Sequence, residues 1–403
     1  MTTRCLDITR LVSRIGRGPL TGIDRVERAY LRALLSRDDP LVLLAAVGGR
    51  FLMLDRSAGV MLDRRLDAPQ DWGPMDLRAL IGRESPALRR RAESDLRRVA
   101  IDAAGRRGLA ALLARHLGGD GRYLNVGHSN LGVPLFDALA RLPWIQVTVF
   151  IHDTIPLDHP EWQRPGMAAG FARRLGRVGA RADLVIYNSA VTRHRAEAQF
   201  RRRGRVPPGV VAHLGHDPVP PGDPPALRPG HPYFVTLGTI EPRKNHALLL
   251  DAWETLCRDM EPEAVPHLHI VGRRGWANAA VFARLDTAPF MGRQVFEHGA
   301  FEDAAVAALL RGARALLFPS RDEGFGLPLV EAAAAGVPAI CAPLPAFREV
   351  MGGYPLYLDP DDPYLWASCV RTRAADPTTA PGGGAGPVVP SWRQHFGRVL
   401  DLT

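Results

Sequence analysis

Glu323 and Glu331 stand with seven residues between them in LLFPSRDEGFGLPLVEAAAAGVPAI (316–340). Between them lies the loop Gly324–Phe325–Gly326, followed by Leu327. The stretch reads as strand, loop and helix. Pro328 suits a first helical turn, LVEAAAA is good helix material, and Gly336 with Pro338 stops it. Glycines let backbone N–H groups approach a ligand closely, and those amides add to the positive end of a helix. As isolated residues, Glu331 could answer the helix dipole and Glu323 could be an exposed loop acid. Together with the glycine loop they suit a diphosphate on the amides and sugar or ribose hydroxyls on the carboxylates.

A cation is needed to hold such an anion. Lys244, in EPRKNH (241–246), is the only lysine among 51 basic residues; the other fifty are arginines. A compact ammonium with three rotatable donors does what a planar guanidinium cannot. It lies four residues past the end of YFVTLGTI and just ahead of the helical NHALLLDAWETLCR, where an anion is favoured. Arg243 beside it could supply a forked contact. For proton chemistry the candidate is His152, which follows the apolar strand QVTVFI and precedes Asp153. In RIGRGPLTGIDRVERAYLRALL, Thr21 and Asp24 form a capping-box-like pair ahead of an amphipathic helix. The Gly22 loop there is either a plain turn or an approach to the donor phosphates or acceptor from the opposite domain. Gly16, Gly18 and Gly22 do not fit the nicotinamide-binding glycine pattern.

These residues need elements to position them. Short apolar runs alternate with helical patterns: LVLLAAV, QVTVFIHD, DLVIYNS and GVVAHLG, then YFVTLGTI, HLHIVG, ALLFPS and PAICAP. Apolar runs separated by helices describe parallel strands buried on both faces, hence two doubly wound α/β domains facing a cleft. Open α/β sheets bind ligands at the carboxyl ends of their strands. The segment 215–232 carries seven prolines and reads as a linker. The expected division is a first domain at 1–217, a linker at 218–230, a second domain at 231–390, and a helix at 391–403 packing back on the first domain. The segment 375–391 reads as a low-complexity connector, and Ser391 as the N-cap of the last helix.

Composition excludes several classes. A chain of 403 residues, 46% hydrophobic, can bury two cores. Its apolar runs are too short for a membrane span, and no signal-peptide h-region opens it. Its four cysteines are far apart, which argues against a structural zinc or disulfide framework and fits a reducing cytosol. Up to Asp217 there are 35 arginines against 22 acids, +13; beyond it the balance is −4, giving the net +9. Such asymmetry suggests a polyanionic partner for the first half: nucleic acid, an anionic membrane face or a phosphate-bearing acceptor. No nucleic-acid module is present, and aromatics among the arginines are sparse. DPDDP (359–363) reads as ordinary turn chemistry, and HLHIV (267–271) lacks a third metal ligand.

The E-x7-E pattern after FPS, with EAAAAGVPAI, resembles the retaining, nucleotide-sugar-dependent glycosyltransferases of the glycogen-synthase-like GT-B group. GTIEPRKNHALLLDAW (238–253) and IVGRRGW (270–276) resemble its bacterial mannosyltransferase-like members. FIHDTIPLDHPEW (150–162) and VIYNSAVTR (185–193) are similar to its acceptor-domain signatures. The resemblance implies that Lys244 and Arg243 hold the donor diphosphate and that Glu331 binds the ribose. It assigns Glu323 and the amides of Gly324, Phe325 and Gly326 to the donor sugar and phosphate, and His152 to the reacting sugar. It also implies retention, no metal and no cofactor beyond the sugar nucleotide. The acceptor would be a glycan or lipid-linked saccharide in surface polysaccharide assembly, met in the cytoplasm with peripheral contact to an anionic membrane. Many relatives carry an arginine after the glycine of LG; Thr239 here shifts phosphate neutralisation onto Arg243 and Lys244. The rival expectations are a sugar-nucleotide epimerase on the same fold and a non-catalytic polyanion binder.

Overall fold

A computed structural model describes residues 2–81, 85–223, 230–376 and 389–403. Most of the proline-rich linker's second half (224–229) and most of the connector (377–388) lie outside the described residues.

The architecture is α/β, with two sheets covered by helices. Strands of the first sheet are β1 (Arg4–Asp7), β2 (Leu41–Val47), β3 (Arg50–Leu54), β4 (Asp102–Ala104), β5 (Arg122–Asn125), β6 (Gln146–Ile151), β7 (Leu184–Tyr187) and β8 (Gly209–Val211). They run in the order β4-β3-β2-β1-β5-β6-β7-β8. The second sheet contains β9 (Tyr233–Leu237), β10 (His267–Val271), β11 (Val295–His298), β12 (Leu316–Phe318), β13 (Ala339–Cys341) and β14 (Leu356–Tyr357). Its order is β11-β10-β9-β12-β13-β14, parallel throughout. Apolar runs such as β10 are buried along their whole length, as strands covered on both faces must be.

The first sheet departs from the all-parallel expectation at one edge. β2 pairs antiparallel with β3, and β3 with β4. The cause is local. Val47 pairs with Arg50 across Gly48–Gly49, whose φ angles of 54° and 79° make a two-residue hairpin turn open to glycine. β1 and β5 escaped the apolar-run pattern because Arg4, Asp7 and Asn125 punctuate them. Those residues are buried but bonded: Asp7 accepts from Tyr123 Oη at 2.6 Å, Asn130 Nδ2 at 2.7 Å and the Thr9 N–H at 3.0 Å.

Chain order reverses direction between β1 and β5 in one sheet and between β9 and β12 in the other. Crevices beyond the carboxyl ends of those strands are where an open sheet receives ligands. The two crevices face each other. The last helix, Trp392–Val399, packs on the first domain: His395 Nε2 lies 2.7 Å from the Tyr30 hydroxyl and its Nδ1 3.0 Å from the His213 carbonyl. A carbonyl only accepts, so Nδ1 carries the hydrogen and Nε2 receives the Tyr30 proton. Arg4 ties down the chain end through the carbonyls of Leu400 and Thr403. Among the described residues, no helix is long and apolar enough to cross a membrane.

Candidate active site

At the end of β9 the chain turns through Gly238 and a short 3-10 turn, Pro242–Lys244, into the helix His246–Asp259. This turn delivers two cations to one carboxylate. Lys244 Nζ lies 2.5 Å from one Glu323 oxygen and Arg243 Nη1 2.6 Å from the other. Ser320 Oγ donates to the first at 3.0 Å, and Arg243 Nε reaches Glu241 at 2.6 Å. The Arg321 N–H donates to the Arg243 carbonyl at 2.7 Å, stitching the two loops together. Lys244 is therefore buried and pinned, with its ammonium 4.4 Å from the Phe318 ring centroid. It is not the loosely held point charge that its isolation in the sequence suggests.

The electrostatics of this trio are uneven. Burial raises the Glu323 carboxyl, but the Arg243 and Lys244 charges outweigh it and hold it at about 2. Burial lowers the Lys244 ammonium more than Glu323 restores it. Burial also opposes Arg243, yet Glu323 and Glu241 carry its guanidinium above the ordinary value. Two cations thus share Glu323, with Glu241 on the far side of Arg243, and a further anion is received once Glu323 yields a cation.

The glycine loop meets the other domain. A side chain at Gly324 would run into the His152 carbonyl and lie 3.1 Å from Asp153 Cβ. Ser189 Oγ donates to the Gly324 carbonyl at 2.8 Å. Gly326, at φ 101°, opens the helix Leu327–Ala334. Gly22 starts the first domain's helix Gly22–Leu35, and a Cβ there would sit 3.3 Å from Leu327 Cδ1. Thr21 and Asp24 bond reciprocally, the Asp24 carboxylate accepting from the Thr21 N–H and hydroxyl at 2.8 and 2.6 Å. One turn on, Arg25 Nη1 meets Glu331 at 2.5 Å across the cleft. These two, with His216 and Asp303, line a cavity of about 530 Å³ including its open mouth.

On the first domain's side, His152 follows β6 with its ring stacked 4.3 Å from Phe150. Its Nε2 lies 2.7 Å from the Val126 carbonyl, which fixes the hydrogen there. Burial, with His128 nearby, depresses its pKa well below the usual histidine range, so the ring is neutral. His128 sits at φ 58° in the loop after β5, with Nε2 2.7 Å from the Phe150 carbonyl and its ring edge 5.0 Å from His152.

Further bonds join the domains. Arg195 Nη1 reaches both Asp322 oxygens at 2.7 Å, and His159 Nε2 approaches the same carboxylate at 3.3 Å. Glu349 accepts from the Ala190 N–H at 2.7 Å, capping the helix Ala190–Arg201 from the opposite domain, and from His213 Nε2 at 2.9 Å. The sequence reading named Asp153 only as the neighbour of His152, and it missed Arg25, His128, Asp322 and Glu349; of these four, His128 left a trace in the GHSN turn.

The discounted features have structural partners. Asp362 caps the helix Pro363–Ala375 through the Leu365 N–H, and Asp361 pairs with Arg321 at 2.7 Å. His269 Nδ1 lies 2.8 Å from His298 Nε2. Among the described residues no three His, Cys, Asp or Glu are arranged to hold a metal ion. The arginine run RRRGR (201–205) is partly engaged: Arg203 donates to the Gln199 carbonyl, and Arg205 to the carbonyls of Gly179 and Ala182.

Residues 223–361 match the family model for glycosyl transferases group 1. The chain is 33% identical over 237 residues to the serotype-specific mannosyltransferase WbdA of Escherichia coli, covering 55% of this chain and 29% of that protein. It is 35% identical over 130 residues to O-antigen chain mannosyltransferase B of Escherichia coli, covering 32% of this chain and 33% of that one. The chain thus spans about a third or less of the length of these relatives. In fold it is similar to Anabaena Alr3699/HepE, solved in complex with UDP-glucose, with a TM-score of 0.58 at 14% identity over 94% of this chain and 93% of that one. The N-terminal domain of Candida albicans trehalose-6-phosphate phosphatase gives a TM-score of 0.57 at 12% identity, over 93% and 89%. The likeness establishes the GT-B arrangement of two Rossmann-like domains.

Proposed function

We propose that this chain, a group 1 glycosyltransferase by its residues 223–361, moves a hexose from a nucleoside-diphosphate sugar to a glycan or lipid-linked acceptor with retention. Its E. coli relatives named as mannosyltransferases support a place in surface polysaccharide or glycolipid assembly. The observation that carries the reading is the gathering of Lys244, Arg243 and Glu323 beside the glycine loop. That cluster lies at the carboxyl ends of β9 and β12, where the sheet's order reverses.

In this reading Lys244, Arg243 and the amides of Gly324, Phe325 and Gly326 receive the donor diphosphate. Charge accumulates on that group as the glycosidic bond breaks, and fixed donors stabilise it at little reorganisation cost. Glu323 orients the two cations and contacts the donor sugar. Glu331 exchanges Arg25 for the ribose hydroxyls, and Gly22 with Leu327 lines the entrance. His152, neutral with its hydrogen on Nε2, presents Nδ1 as an acceptor for a sugar hydroxyl. Residues 231–390 hold the donor, 1–217 the acceptor, 218–230 link them, and the helix of 391–403 braces the first domain. No metal ion is needed for the charge, since the cations are built in. The basic first domain rests against an anionic membrane face where a lipid-linked acceptor is found.

The test is a thermal-shift panel of GDP, UDP, dTDP and their hexose conjugates. A ligand at a hundred times its Kd adds about 2.7 kcal/mol to stability. A shift with one nucleotide family and consumption of its sugar conjugate is the expected result. No shift with any member would overturn the reading.

A further inference from the structure

Four carboxylates around the glycine loop and the domain contacts beside it have charged or helix-capping partners. Glu323 holds Lys244 and Arg243. Glu331 holds Arg25. Asp322 takes Arg195 and His159. Glu349 caps a helix and meets His213. Asp153, against the same glycine loop, is held differently. Among the described residues its carboxylate accepts one hydrogen bond, from the Ile155 N–H at 3.2 Å. It makes no ion pair.

Its position is set by the fold. Asp153 follows His152 at the carboxyl end of β6, half-buried at the mouth of the first domain's crevice. Opposite it lies Gly324, so close that a Cβ at that glycine would approach Asp153 Cβ to 3.1 Å. The charged groups facing it across the cleft are Arg243, Glu323 and Asp322; on its own strand end it adjoins His152, which is neutral. The carboxylate therefore looks toward the cations assigned to the leaving diphosphate without being neutralised by them.

We propose that Asp153 is a further catalytic residue, the base that receives the acceptor's attacking hydroxyl. The proposal rests on the glycosyltransferase reading above. The acceptor oxygen forms a bond to the anomeric carbon as the bond from that carbon to the diphosphate oxygen breaks. The electron pair leaves with the diphosphate, and the hydroxyl proton passes to an Asp153 oxygen and then to solvent. Asp153 lies across from Gly324 in the loop assigned to the donor phosphate, so a hydroxyl bound to it would approach from the face the diphosphate departs, which is the approach retention requires. Supporting this, burial lifts the Asp153 carboxyl, Arg243 opposes that rise and Glu323 adds to it, leaving the group at about 6. A base with that value is ionised at neutral pH yet strong enough to share a proton.

The experiment uses the full chain, the hexose nucleotide selected by the thermal-shift panel, and octyl α-mannoside as acceptor. Total donor consumption is followed, by transfer and by hydrolysis, from pH 5 to 9. Asp153→Asn keeps the oxygen facing Ile155 and removes the base. Consumption should fall roughly 10²- to 10⁴-fold, the acid limb near pH 6 should vanish, and nucleoside-diphosphate affinity should stay within about threefold. Asp153→Glu, which keeps a displaced carboxylate, should retain a shifted acid limb with intermediate activity. An Asn variant within about fivefold of wild type with the acid limb intact overturns the role of Asp153 alone. Parallel loss of nucleotide affinity in both variants also overturns it, by marking a structural residue. A wild-type protein that binds no donor overturns the glycosyltransferase reading itself.

Discussion

The two walls of the cleft are built by opposite electrostatic strategies. The second domain's wall is ionic: Lys244 and Arg243 share Glu323, and Glu241 takes the far side of Arg243. The first domain's wall is nearly neutral: His152 and His128 have burial-depressed pKa values, His128 down to about 4, and each donates Nε2–H to a carbonyl. Beside these two histidines Asp153 brings a charge, while Arg25 and Arg195 reach from the same domain to Glu331 and Asp322. The difference follows from what each wall would handle. A diphosphate needs fixed charge, whereas a sugar hydroxyl needs hydrogen-bond acceptors that do not attract stray anions.

The largest expected effect comes from breaking the ionic wall at its hub. Glu323→Ala leaves two buried cations without their shared partner, and removing one member of a buried pair costs about 3–5 kcal/mol. We expect turnover to fall about 10²-fold or more. Nucleoside-diphosphate affinity should hold or rise, since both cations are released toward the phosphates. Calorimetry showing affinity lost with turnover intact would reverse the roles given to Glu323 and Glu331. The same hub has a pH signature. The Glu323 carboxyl is held at about 2 in the fold, against an ordinary value near 4.3. A carboxyl depressed by folding contributes stability that is whole above the unfolded value and disappears as pH falls through the folded one. Denaturant titrations between pH 5 and 2 should therefore show a loss on the order of 3 kcal/mol. Glu323→Gln should flatten that slope.

Lys244→Arg probes the same wall more gently. The ammonium sits over Phe318, and a Cβ at Gly238 would lie 3.2 Å from Lys244 Cε. A guanidinium is wider than this channel, and overpacking costs about 1–3 kcal/mol. With charge preserved, kcat/KM should still drop about tenfold to a hundredfold. Wild-type kinetics would mean that the lone lysine is an accident of composition. Across the cleft, Glu331→Ala should weaken nucleotide binding about tenfold by isothermal titration. Arg25→Ala should weaken it less or strengthen it, because Arg25 competes for Glu331. If Arg25→Ala proves the worse of the two, Arg25 is itself a nucleotide ligand.

The contrast between the walls also explains what the sequence made legible. The ionic wall comes from two short segments, each beginning at a strand's end, so residue type and spacing exposed Lys244, Arg243, Glu323 and the glycine loop together. The apolar runs likewise disclosed the doubly wound sheets through eight strands, but not β1 and β5, which Arg4, Asp7 and Asn125 interrupt, nor β3 beyond the Gly48–Gly49 turn, nor the short edge strands β4, β11 and β14. Partners that meet only through the fold left no local mark. Arg25 is one of fifty arginines, and its significance lies in meeting a residue 306 positions away. Asp153 looks like the companion of His152 until the pairings of Glu323, Glu331, Asp322 and Glu349 are known. The helix cap given by Glu349 could not be seen, because Ser189 already caps that helix locally, accepting the Thr192 N–H at 3.0 Å.

The smallest expected effect lies outside the cleft and compares the two edges of the first sheet. At the β8 edge, Arg203 and Arg205 are bound to carbonyls. Reversing them would remove those contacts as well as charge, so Arg202, exposed just before them, is the cleaner probe. At the β4 edge, Leu77 is 80% exposed and Leu80 56%, beside Arg78 on a short helix. This edge thus exposes two apolar side chains next to a cation. Attraction to anionic headgroups is worth about 1 kcal/mol per nearby basic residue, decaying over a Debye length of roughly 8 Å at physiological salt. Arg202→Glu should therefore lower cosedimentation with phosphatidylglycerol vesicles only a few-fold, and the deficit should shrink as salt rises. Leu77→Ser with Leu80→Ser should lower it by a similar factor, but with a deficit that salt does not erase. Both variants should leave turnover on a soluble acceptor unchanged, being remote from the cleft. If the two edges respond alike to salt, the apolar edge contributes nothing. If wild-type protein sediments equally with neutral and anionic vesicles at low salt, the arginine excess of the first domain serves no membrane.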